Sequence, residues 1–182
     1  MSNINSFQAN FNTLGSSGGS GLTSVTQDII LHGLLTNWAS RNPREFVDWS
    51  GSLNPLEQNN SALPILTNGL VIKKVAVKYL FIQPALVTNN FTFRYDIGKL
   101  TDNSSPVEVA NYENYTGGQG VITQFFADTN NKNFFLESGD LNIPISNGDI
   151  LAMTGFRVAG TNEGADNEDV MVSVLLQKTL TS

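Results

Sequence analysis

From residue 65 to the end of the chain, apolar side chains recur at every second position in run after run, with turn residues between the runs. Period-2 patterning puts one face of an extended segment on a core and the other outward, and it cannot be satisfied by a helix. The run 70–82 sets Val71, Val75, Val77, Tyr79 and Phe81 on one face and Lys74 and Lys78 on the other, and Pro84 stops it. In 91–97, Phe91, Phe93, Tyr95 and Ile97 alternate with Thr92, Arg94 and Asp96, as in a half-buried strand. Val107 and Val109 suggest a short edge strand, and 121–127 alternates again. Runs at 134–136 and 141–145 read as short strands, with Pro144 pointing to an edge or bulge. Ile150, Ala152, Thr154, Phe156 and Val158 form another run, and Val170, Val172, Val174 and Leu176 form the last. Roughly eight strands separated by turn signals predict an all-β, antiparallel sandwich or barrel. Asn68-Gly69 and Asn147-Gly148 are turn dipeptides. In the last run Met171 and Leu175 oppose Val172 and Val174. A strand apolar on both faces is central in its sheet or buried at a subunit contact.

The first third reads differently. Residues 1–21 are rich in Asn, Ser and Gly and end in Gly15-Ser16-Ser17-Gly18-Gly19-Ser20-Gly21. Such a segment buries too little apolar surface to offset its ordering entropy, which predicts a flexible arm. Either it is a plain tail, or it orders on a partner with Phe7 and Phe11 as anchors. Residues 22–63 form a packing segment and linker. There Ile30, Leu31, Leu34, Leu35 and Trp38 recur at helical spacing, Thr26 stands as a cap, and Asn42-Pro43 ends the run. This predicts a short helical segment, weakened by Gly33. The sandwich domain then covers 64–182.

Composition narrows the function. Only 14% of the 182 residues are charged, against about 25% in ordinary soluble domains. Asn, Ser, Thr, Gln and Gly make up the polar surface instead, as on proteins packed in assemblies. The net charge is -6 and no dense basic stretch exists, which argues against nucleic acid as a partner. With 0 cysteines, disulfides, zinc-thiolate sites and thiol catalysis drop out. Residues 1–7 have no basic start and no apolar stretch of a secretory signal, and no run reaches the ~20 apolar residues of a membrane helix. The expectation is a protein made in a host cytoplasm, with no membrane partner.

The segment Leu141-Asn142-Ile143-Pro144-Ile145-Ser146-Asn147-Gly148-Asp149-Ile150-Leu151, an apolar strand, a Gly-Asp turn and a second apolar strand, resembles the compact jelly rolls of the tumour-necrosis-factor and C1q-like kind. The closing run, 169–177, resembles their last central strand. Similar modules occur in phage head fibres, tail fibres and decoration proteins, where they trimerise. The resemblance spans 66–181 and implies a jelly-roll β-sandwich with homotrimeric association and a place in a virion. On that reading the arm attaches to other virion proteins.

Candidate chemical sites are few. His32 is the only histidine and lies in an apolar run, which points to structure rather than a Ser-His-Asp triad, and it is too few for a cupin metal site. Glu163, Asp166, Glu168 and Asp169 cluster in a loop whose oxygens suit calcium, against the plainer reading of a solvated acidic loop. The stretch 128–131 is weighed the same way. Tyr112 and Tyr115 beside Gly117-Gly118-Gln119-Gly120 form an aromatic loop suited to contact with a host glycan or receptor, against ordinary loop packing. The glycines lack the Gly-Lys-Ser/Thr of a phosphate loop. No catalytic residue, metal ligand or cofactor is assigned. The expectation is a non-enzymatic structural protein, with a glycan- or receptor-binding fibre module as the alternative.

Overall fold

The structure is a computed structural model, and it describes residues 8–12, 24–35, 45–49, 62–81, 91–101, 111–118, 120–126, 135–160 and 169–181. These residues form twelve strands, and among them there is no α-helix. In chain order the strands are β1 (Gln8–Asn12), β2 (Ser24–Leu35), β3 (Glu45–Phe46), β4 (Leu63–Pro64), β5 (Leu70–Phe81) and β6 (Phe91–Leu100). There follow β7 (Tyr112–Asn114), β8 (Ile122–Phe126), β9 (Phe135–Glu137), β10 (Ile143–Ile145), β11 (Ile150–Gly160) and β12 (Asp169–Thr181).

All pairings are antiparallel. The first sheet runs β1-β2-β12-β5-β10, with β9 also on β5; the second runs β3-β11-β6-β7, with β4 on β11 and β8 on β6. Pairs β3/β4, β7/β8 and β9/β10 each share one edge of a longer strand, so each counts as one interrupted strand. Setting β1 aside, eight strands remain, ordered first-eighth-third-sixth and second-seventh-fourth-fifth. That is the order of a jelly roll, which the resemblance implies and which meets the sandwich or barrel expected from the alternation.

One buried cluster joins the sheets. Ile72, Val75, Val77, Val170, Val172, Val174 and Leu176 from the first meet Phe93, Tyr95, Ile97, Leu151 and Met153 from the second. Each large side chain so buried stabilises the fold by ~1.5–3 kcal/mol. In β5 the expected inward set is broken. A register shift against β12 between Leu175 and Leu176 lets Ile72, not Val71, fill the core, ahead of Val75 and Val77. Such a bulge reverses the facing of every residue on one side of it.

Among the described residues of 22–63 the expected helix is absent: Ser24–Leu35 is a strand. It pairs with β12 along its whole length, from Ser24↔Thr181 to Leu35↔Val170. Ile29, Leu31 and Leu35 point to the core, and Ile30 and Leu34 point outward. Because both faces are apolar, the run carries no period-2 signal, and i, i+3, i+4 matches arise from that alone. Gly33 has its own reason to be glycine. A Cβ there would lie 2.3 Å from Val47 Cγ1 and 2.9 Å from the Asp48 carbonyl. This close approach lets the chain cross between sheets: Val47 N–H donates to the Met153 carbonyl of the second sheet, and Asp48 exchanges two backbone bonds with Leu34 of the first. Trp38 and the stretch 102–110, with its expected edge strand, lie outside the described residues.

Candidate functional site

At one end of the sandwich the two predicted turns meet. Gly69 and Gly148 both adopt positive φ, at 77° and 92°. The Asn68 side-chain carbonyl accepts from the Asn147 backbone N–H at 3.2 Å. In the turn that carries the resemblance, Asp149 Oδ2 accepts from the Ser146 N–H at 2.9 Å and from the Tyr115 hydroxyl at 3.2 Å. Lys99 Nζ stands 3.8 Å from the same carboxylate and 3.8 Å from Glu113.

Tyr115 is half-buried, and burial together with the Asp149 carboxylate pushes its phenol well above the ordinary tyrosine value of 10.0. The neutral form is therefore favoured in the fold. Its stabilisation is complete below pH 10 and declines as pH rises beyond it, because the unfolded chain then loses a proton that the folded chain keeps. Tyr115→Phe is expected to cost about 1 kcal/mol at pH 7. In urea titrations the gap between wild type and variant should narrow above pH 10; a constant gap from pH 7 to 11 would count against the Tyr115–Asp149 bond.

Tyr112 packs edge-on against Phe46, with ring centroids 5.7 Å apart. Both tyrosines of the expected contact loop thus place their rings on the fold. Phe7 lies outside the described residues, as do Glu163, Asp166, Glu168 and 128–131. Phe11 lies in β1, opposite Gln27 of β2. Among the described residues no group of three or more His, Asp or Glu side chains is placed to hold a metal ion.

His32 points outward from β2, its Nδ1 2.9 Å from Ser173 Oγ on β12. This pair sits in the middle of an outward stripe that sequence reasoning half anticipated. Leu34 is opposite Met171 on one side of it, and Ile30 is opposite Leu175 on the other. All four are only partly buried, although the opposite face of the same strands is core. Lys74, Ala76 and Lys78 of β5 flank the stripe, and Asp28 accepts from Gln177 Nε2 at 3.0 Å at its end. A sheet that carries apolar side chains on both faces, those of the outward face only partly buried, has the character of an association surface.

A second cluster lies on the outer face of the second sheet. Asp96 is fully buried and pairs with Arg94, Nε to Oδ1 at 2.7 Å and Nη2 to Oδ2 at 3.2 Å. The guanidinium also lies 5.3 Å from the Phe156 ring centroid. Gly120 covers the pair so closely that a Cβ there would sit 2.9 Å from Asp96 Oδ1. The 91–97 strand is thus buried on both faces at this point, where alternation suggested one. The signal was an i, i+2 pair of opposite charges facing a glycine-rich loop.

The class of molecule so defined is a jelly-roll β-sandwich with an apolar outward stripe on its first sheet. No protein-family model matches the chain, and no curated protein matches it. Among solved structures, one titled Turnip yellow mosaic virus aligns at 13% identity and a TM-score of 0.37, covering 94% of this chain and 88% of that one. A chain of the cyanophage Pam1 capsid asymmetric unit aligns at 9% and 0.36, covering 92% and 93%. One from a virus-like particle of the Macrobrachium rosenbergii nodavirus aligns at 10% and 0.39, covering 90% and 98%. Likeness at these levels carries no argument about role, and the fold assignment stands on the strand order.

Proposed function

We propose that this chain is a non-enzymatic structural protein of a virus particle: a head fibre, decoration or minor capsid component. Its jelly roll associates with further copies of itself, threefold on the resemblance of residues 141–151 and 169–177, and displays its loops at the particle surface. Residues 1–21, with Phe7 and Phe11 as anchors, attach it to neighbouring subunits of the particle, whether further copies of this chain or other virion proteins. The observation that carries the assembly part is the outward stripe of Ile30, Leu34, Met171 and Leu175, in register across β2 and β12. Burying such a stripe against a second copy drives association without bond chemistry. The sparse charge supports the same reading, since lightly charged surfaces desolvate at small cost. Density-gradient purification of particles from cultures that make the chain provides the test. The chain is expected at a fixed copy number in the particle band and to remain there through a high-salt wash. Recovery only in the soluble fraction would overturn the proposal.

A further inference from the structure

The two long edges of the first sheet are finished differently. On the β5 side the edge consists of β9 and β10, three residues each, with Pro144 opposite Val71. Short strands and proline are among the devices that keep an edge from pairing with another chain. In the second sheet β3 and β4 have two residues each and β4 contains Pro64, while the turn at 115–118 separates β7 from β8. The remaining edge of the first sheet is β1, which pairs with Thr26–Ile30 of β2 on one side. On its other side no strand lies among the described residues.

β1 carries none of those devices. The first charged side chain of the whole sequence is Asp28 and the first proline is Pro43. The strand reads Gln8-Ala9-Asn10-Phe11-Asn12, polar and apolar by turns, and its polarity is the same in either direction. That symmetry selects the partner. Pairing β1 antiparallel with itself about Asn10 sets Ala9 opposite Phe11 and Gln8 opposite Asn12, with Asn10 opposite its own copy. Apolar then meets apolar, amide meets amide, and no like charges oppose. The charge-free β8 (Ile122–Phe126) lacks this property, because its apolar residues Ile122, Phe125 and Phe126 are not symmetric about Gln124.

We propose that β1 is a strand-addition edge for a second copy of this chain, joining two first sheets into one continuous sheet across a twofold axis at Asn10. Backbone hydrogen bonds supply the affinity and the symmetric polarity fixes the register. This deepens the assembly reading by adding a contact separate from the outward stripe of β2 and β12.

The test uses the full chain with charge at the axis. Asn10→Lys and Asn10→Asp each place like charges opposite one another, so each variant alone should show half the wild-type assembly mass by light scattering at low salt. An equimolar mixture should regain the wild-type mass, which a variant that had merely lost β1 would not do. As a second readout, Asn10→Cys introduces the only thiol of the chain, and mild oxidation should give a covalent dimer. Wild-type mass in both charged variants, or a mixture that stays at half mass, overturns the β1 contact while leaving the stripe standing. A monomeric wild type overturns both.

Discussion

Gly98→Ala is expected to destabilise the chain by about 3 kcal/mol, at the upper end of what overpacking usually costs. A Cβ at Gly98 would lie 2.1 Å from the Glu113 carbonyl oxygen and 2.9 Å from Tyr112 Cζ. The first of these is backbone of β7, so no side-chain rotation relieves it. Either β7 leaves β6 or the strand at Gly98 distorts. Both routes threaten the bonds that flank the pairing, Thr101 N–H to the Asn111 carbonyl at 2.7 Å and Tyr115 N–H to the Ile97 carbonyl at 3.1 Å. Gly139→Ala serves as the control, since nothing lies within 4 Å of its added Cβ, and its cost should stay within about 0.5 kcal/mol. Urea unfolding of the two variants reads the difference. Equal midpoints would mean that β7 does not lie against Gly98.

Arg94→Met is the second large effect. It takes the ion-pair partner from the Asp96 carboxylate, which is fully buried, while the lost side chain is 17% exposed. Removing one partner of a buried pair costs ~3–5 kcal/mol, because the remaining charge stays in a site closed to water with its strongest ion-pair partner gone. The double variant Arg94→Met, Asp96→Leu should recover most of that loss, since replacing both charges by apolar groups is often neutral. Thermal or urea unfolding of the four-member cycle isolates the coupling. If the single and double variants lose the same stability, the pair is solvated and the cover by Gly120 is incorrect.

These two sites also show what the sequence made legible. The strands facing a core on one side only, such as the Phe93, Tyr95, Ile97 run, announce themselves through alternation. β2 does not, because Ile29, Ile30, Leu31, Leu34 and Leu35 serve two faces at once, and a run apolar all round has no period to read. The same doubling on β12 was visible in Met171 and Leu175, and it led to the outward stripe. Asp96 reads in sequence as a solvent-facing charge; only the second-sheet loop that folds back over it makes it buried. The turn at 146–149 was legible from Asn147-Gly148-Asp149, but not its partner Tyr115, which arrives from 34 residues away. Long-range partners of this kind leave no local trace.

On the proposed function, this jelly roll works by associating through the outward face of β2 and β12. Multi-angle light scattering after size exclusion tests it most directly, on the full chain and on the variant Leu34→Asp, Leu175→Asp. The expected result is a wild-type mass that is a whole multiple of 19.7 kDa and greater than one chain, with a smaller assembly in the variant at unchanged β-sheet circular dichroism. A wild type that elutes as a single chain of 19.7 kDa, or a variant that keeps the full assembly mass, would contradict it.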